Sequence, residues 1–216
     1  MTYSLRTGSE MTKLFVQKIL DRLFYYQKVF VFVWEAGKCN SSFQAKIPIS
    51  FGHASPEELS EVYLNKETDL KSYPWEFLEE KIVTGRWHCI CAKHKEEIIG
   101  YALYSTAEMS FAGTKSIVFD LPTNAAYIFK AFVYPTFRNL SIHKAIADFT
   151  FKTVHEMGFD LALFSINSTN NISIHNNVKL GSAIAGSAVF IKTRFFNKVF
   201  ISGRLDKMGV RIRKIF

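Results

Sequence analysis

Between Ala131 and Lys144 the chain reads Ala-Phe-Val-Tyr-Pro-Thr-Phe-Arg-Asn-Leu-Ser-Ile-His-Lys. An apolar run meets a proline, crosses a short turn and takes up a helical pattern. Proline fixes φ and removes a backbone donor, so the strand pattern stops there. The first amides of the helix that follows have no intrahelical partner, and the peptide dipoles put partial positive charge behind them. Such a turn is an anion site suited to a pyrophosphate. Arg138 and Lys144 add full charge at its rim.

Other chemistry-bearing residues group less well. His88, Cys89, Cys91 and His94 fall close together, but strand alternation puts Cys89 and Cys91 on one face and His88 on the other. No metal site is expected. The chain carries no Gly-x-Ser-x-Gly, Walker or Rossmann fingerprint.

The elements that must position the turn read clearly. Helical periodicity covers Met11 to Gln27, with Phe15, Val16, Ile19, Leu20 and Leu23 on one arc and basic residues opposite. Ser55-Pro56-Glu57-Glu58 is a helix start, and Pro74 to Val83 is a second helix closed by Gly85. Helices are also predicted from about Ile142 to Met157, ended by Gly158, and from Asn170 to Leu180, ended by Gly181. Strand signals cover Lys28 to Trp34, Ala45 to Phe51, Arg86 to Lys93, Glu97 to Thr106, Lys115 to Leu121, Ala126 to Tyr134, Asp160 to Ile166, Ala183 to Thr193 and Phe196 to Ile201. The order implies a mixed α/β layer rather than a doubly wound sheet.

The chain has 216 residues, 48% of them hydrophobic, with 21 Phe. That suits one substantial folded domain. No stretch reaches the ~18 apolar residues of a membrane span, and the start has no signal-peptide pattern. With three cysteines, a reducing, cytoplasmic setting is expected. The net charge is +8, and from Lys192 onward eight basic residues face Asp206 alone. Such an end suits weak contact with an anionic membrane surface or plain solvation, while nucleic acid is not the expected partner.

Three blocks, in order, resemble the GNAT superfamily. Its members carry an apolar strand ending Val-x-Pro, then Arg-x-x-Gly-x-Gly/Ala opening a helix. Here Val133-Tyr134-Pro135 and Arg138 match, with Ser141 and His143 at the two glycine positions. The family's Asn-x-x-Ala…Tyr-x-Lys-x-Gly-Phe becomes Asn170-Asn171-Ile172-Ser173…Asn177-Val178-Lys179-Leu180-Gly181-Ser182. Gly85 to Ala92, leading to Glu97-Ile98-Ile99-Gly100-Tyr101-Ala102, is similar to the family's hairpin. Ser141-Ile142-His143 is most similar to Gly-Ile-Tyr variants linked to sugar and polysaccharide assembly.

The resemblance implies a GNAT-like, mixed, mostly antiparallel central sheet with helices on both faces. It covers roughly residues 43–203, leaving 1–42 as a basic amphipathic helix and strand that pack on the domain and 204–216 as a basic tail. It further implies transfer of an acetyl or other acyl group from acyl-CoA to a primary amine of a small molecule, an amino sugar among the candidates. Acyl-CoA would lie beside Phe132 and Val133, its thioester carbonyl held by a backbone N–H. Its pyrophosphate would meet the turn through Arg138, Asn139, Leu140, Ser141, Ile142, His143 and Lys144, with Asn170 beside it. Asn177 stands where the family often has a proton-donating Tyr, and no carboxylate lies between Ala126 and Tyr134. His175 is the remaining candidate acid, or else a surface histidine. The alternative is a non-catalytic CoA-binding or interaction protein of the same fold, with a basic tail.

Overall fold

The computed structural model describes residues 24–36, 43–110, 117–193 and 197–214. Its eight-stranded sheet has as an interior strand the valine- and phenylalanine-rich run β1 (Phe24–Glu35), whose side chains alternate into two cores. Val29, Val31 and Val33 enter one, while Phe32 and Trp34 enter the other, and all five are buried. β-branched and aromatic side chains fit such a doubly covered strand.

The remaining sheet strands are β2 (Ser50–His53), β3 (Trp87–His94), β4 (Glu97–Ser105), β7 (Ala125–Val133), β8 (Leu161–Asn167), β9 (Ala183–Thr193) and β10 (Asn197–Gly203). Their spatial order is β10-β9-β1-β8-β7-β4-β3-β2. Only the β7–β8 junction is parallel. The short strands β5 (Glu108–Ser110) and β6 (Ile117–Asp120) form a second sheet with β11 (Arg211–Lys214). This is the mixed, mostly antiparallel sheet that the sequence implies.

Helices cover both faces. α1 (Pro56–Leu64) starts at Ser55 in a full capping box with Glu58, and α2 (Trp75–Val83) follows a short 3₁₀ turn. Leu59, Val62, Leu70 and Leu78 bury against Trp87, Tyr101 and Leu103. On the opposite face α3 (Ile142–Glu156) buries Ile142, Ala145, Ile146, Phe151 and Val154. α4 (Asn171–Lys179) links β8 to β9.

Three expectations differ from the structure. Phe24 to Gln27, expected in a helix, are strand, because they continue the β1 ladder with β9 as far as Thr193. The rest of that helix lies outside the described residues. Of Ala45 to Phe51, only Ser50 and Phe51 are strand; upstream, Lys46 N–H donates instead to Leu140 O at 2.9 Å. Ala45, Ile47 and Ile49 pack beside Leu140, bracing the turn before α3. Downstream of Gly203, the segment expected as a basic tail puts Leu205 and Val210 into the core with Val29, Val31 and Tyr127, and β11 pairs with β6.

Leu205 therefore packs, fully buried, into the core that β1, β7 and β9 share. Leu205→Ala should cost about 2–5 kcal/mol and lower Tm by ~5–20 °C. Lys207→Ala, on an exposed side chain, should change Tm little; differential scanning calorimetry on both variants checks the contrast.

Candidate functional site

The parallel pair β7–β8 stays together only from Ala125↔Leu161 to Ile128↔Phe164. Beyond that point β8 keeps β1 as a partner through Asn167, and β7 keeps β4 through Val133. Each strand is held on its outer side, so the inner edges diverge into a fork. The β4–β7 register slips between Leu103 and Tyr104, a β-bulge at Phe129 that adds local twist where the fork opens.

Tyr134 N–H donates to Ile99 O at 3.0 Å. Antiparallel alternation then points the Phe132 amide at β4 and turns those of Ala131 and Val133 towards the fork. Gly100 lets the strands approach this closely, since a Cβ there would lie 2.7 Å from Phe132 O.

A cavity of about 800 Å³, its open mouth included, fills the fork. Apolar Ala131, Ala147, Phe151 and Phe164 line it, with Lys130, His143, Ser165, Asn167, Asn170, Ser173 and Asn177 as polar groups. A second cavity of about 660 Å³ lies over the turn, lined by Val133, Phe137, Arg138, Asn139, Ser141, Ile142, His143, Lys144 and Asn176. His143 borders both.

The turn is shaped by its backbone. Pro135–Phe137 make a 3₁₀ turn, and Asn139 (φ 66°) and Ser141 (φ 62°) are left-handed. Asn tolerates that region better than other side chains, while Ser141 occupies a conformation that glycine adopts freely. Ser141 is the N-cap of α3 and makes no side-chain cap, so its hydroxyl leaves the first amides of the helix without a partner from that residue.

Arg138 Nε donates to Val133 O at 3.4 Å, and its guanidinium sits 5.9 Å from the Phe132 ring centroid. Lys144 lies over Phe43. Among the described residues, the charged ones lining the two cavities are Lys130, Arg138 and Lys144, all cationic.

His143 Nδ1 is buried and has no hydrogen-bond partner among the described residues, and burial pushes the ring's pKa below its usual value. On α4, Asn170 accepts from Ser173 N at 3.1 Å, capping the helix, and Asn177 donates to Ser173 O at 2.9 Å. His175 is exposed on α4 and borders neither cavity.

The structure thus gathers Val133, Arg138, Asn139, Ser141, Ile142, His143, Lys144 and Asn170 around two adjoining cavities. Leu140 is partly buried against α3's core instead, and Phe132 turns its ring to the opposite face, stacking on Tyr101 at 5.6 Å. Ala131, Lys130, Ser173 and Asn176 also line the cavities, though nothing in their types sets them apart in the sequence. On the face opposite α3, Lys130 pairs with Asp69 at 2.5 Å, and Tyr101 donates to Asp69 at 2.7 Å. A carboxylate from the α1–α2 connection thereby reaches β7, which has none of its own. Among the described residues no three His, Cys, Asp or Glu side chains cluster as metal ligands would.

No protein-family profile matches this chain, and no curated protein matches it. Solved structures do. A GCN5-related N-acetyltransferase from Sphaerobacter thermophilus aligns at 12% identity and TM-score 0.58, over 86% of this chain and 56% of that one. One from Kribbella flavida aligns at 13% and 0.53, over 91% and 66%. A GCN5-related N-acetyltransferase-like protein from Streptococcus suis aligns at 9% and 0.55, over 84% and 67%. The chain spans little more than half the length of the first of these. With its fork, turn and sheet order in place, this chain has the fold of the GCN5-related N-acetyltransferases.

Proposed function

We propose that the protein is an N-acyltransferase that moves an acetyl or other acyl group from acyl-CoA to a primary amine of a small molecule. One observation carries the reading: a cleft whose wall presents the amides of Ala131 and Val133 runs, past His143, into a cation-lined cavity at the start of α3. A donor with an apolar reactive end, an amide-bearing arm and a polyphosphate matches that sequence of environments. Arg138, Lys144 and the first amides of α3 would hold the phosphates, and the fork would hold the arm.

In this reading the amine nitrogen attacks the thioester carbonyl carbon. A C–N bond forms, the C–S bond breaks, and the carbonyl oxygen carries negative charge in between. The N–H of Ala131 or Val133 stabilises that charge, a type of contact worth several kcal/mol in a dry site. Holding both reactants in line supplies much of the rest. The amine releases one proton to solvent, and the departing thiolate takes one up.

Asn177 borders the cleft but has no proton to give, and its amide is already committed to Ser173 O. That observation favours, as a second reading, a protein that binds acyl-CoA without catalysing transfer. An amino sugar is the finer version of the acceptor proposal, motivated by the likeness of Ser141-Ile142-His143 to the sugar-linked variants.

Acetyl-CoA or a longer acyl-CoA at one hundred times its Kd should stabilise the protein by about 2.7 kcal/mol. A thermal-shift assay with several acyl-CoAs at millimolar concentration checks this, and an unmoved Tm in all of them would remove the donor. With activity established on an amine panel, Asn177→Tyr should raise turnover at least tenfold, an order-of-magnitude expectation for a restored general acid. His175→Ala should leave it unchanged. Slow turnover that Asn177→Tyr does not improve would place the thioester away from α4; CoA binding with no turnover on any amine would favour the second reading.

A further inference from the structure

His143 is an unusual residue to find at the start of α3. It lies one position after Ile142, the first residue of the helix, and lines both cavities. The cavities it borders are also lined by Ala147 and Phe151 of the same helix, Ala102 of β4, Ala131 of β7 and the uncharged Asn176 and Asn177 of α4. Its buried Nδ1 has no partner among the described residues. An unpaired buried nitrogen carries a desolvation penalty of about 1–3 kcal/mol unless a bound group satisfies it. The helix start alone would recognise only negative charge; the orphan nitrogen, bordered in the fork by uncharged side chains, asks for a neutral hydrogen-bonding group.

Accepting the donor reading above, we infer that His143 Nδ1 accepts a hydrogen bond from an amide N–H of the donor's pantetheine arm as the arm passes from the phosphate turn into the fork. The side chain would thereby recognise the arm, while Arg138, Lys144 and the helix amides recognise the phosphates. A glycine or alanine at this position has no equivalent contact to offer.

The ring must be neutral for this role. Among the described residues the charged groups bordering the two cavities are Arg138 of the turn, Lys144 of α3 and Lys130 of β7, the last with its ammonium paired to Asp69 on the opposite face; β4, β8 and α4 contribute uncharged lining residues. Burial already holds the ring's pKa below its usual value. Above about pH 6.5 the ring is neutral in free and bound protein alike. As pH falls through the depressed pKa, the free ring takes a proton that the bound ring cannot accommodate, so donor affinity falls. A phosphate partner would give the opposite sign, because a protonated ring binds an anion better.

The test is calorimetric titration of CoA, which has the arm, and of ADP, which lacks it, against wild type, His143→Ala and His143→Asn. His143→Ala should weaken CoA about three- to tenfold, the scale of one lost neutral hydrogen bond, and leave ADP unchanged. His143→Asn, which keeps a polar nitrogen and oxygen near the Nδ1 position, should recover most of the loss. Wild-type CoA affinity should be flat from pH 8 to about 6.5 and decline below, and His143→Ala should lose the decline. Equal CoA affinity in wild type and His143→Ala overturns the inference, as does an equal loss for CoA and ADP, which would assign the ring to phosphate. Should neither variant fold, the wild-type profile decides alone, and affinity that rises or stays flat on acidification overturns it. Absence of CoA binding by the wild-type protein would remove the donor reading itself, and this inference with it.

Discussion

The fold turns on the unequal commitments of two strands. β7 and β8 share a parallel ladder only to Ile128↔Phe164, yet each keeps its outer partner well beyond that point, β8 with β1 and β7 with β4. A parallel strand pair that parts exposes backbone groups inside a domain, where an unpaired amide is costly. The structure tolerates the fork because the outer ladders hold both strands straight while the inner edges open. A longer β7–β8 ladder would close the cleft, and a shorter β1–β8 ladder would let its wall collapse.

The second constraint is electrostatic. Among the described residues no carboxylate borders either cavity, so the positive end of α3, Arg138 and Lys144 act in one direction. Asp69, the nearest acid on the opposite face, is tied to Lys130 and Tyr101 rather than turned into the cleft. Oriented amides and like-signed side chains in a partly dry groove attract an anion more strongly than the same charges would in water. The polar α4 wall, with Asn170, Ser173, Asn176 and Asn177, adds hydrogen-bonding groups without charge.

Most of the fold was legible in the sequence because its signals are local. Ser55 and Pro56 predict the start of α1, Gly158 marks the end of α3, and the Val-Tyr-Pro stop of β7 is where the strand ends. The turn was legible for the same reason, and it brings most of the expected residues together. What the sequence could not show depends on pairing at a distance. Phe24 to Gln27 have helical spacing, but β9 supplies a ladder that outweighs it. Phe132 and Val133 are equally apolar, and only the hydrogen bond from Tyr134 to Ile99 tells which amide faces the fork. Leu205 and Val210 sit among basic residues, and their burial follows from packing against β9 and against β1 and β7, which lie far off in the sequence.

The position of β1 has a further consequence, for how the chain reaches its native state. Val29 pairs with Asn167 on one side and Ala188 on the other. Both edges of the strand must therefore wait for segments made much later. Contacts between such distant segments slow folding, because the connecting chain must be ordered before they form. Until then Val-Phe-Val-Phe-Val is an unpaired apolar strand of high β-propensity, the kind of segment that associates between molecules. The residue pattern that makes β1 a stable interior strand of the finished sheet also makes it the segment most in need of protection while the chain is incomplete.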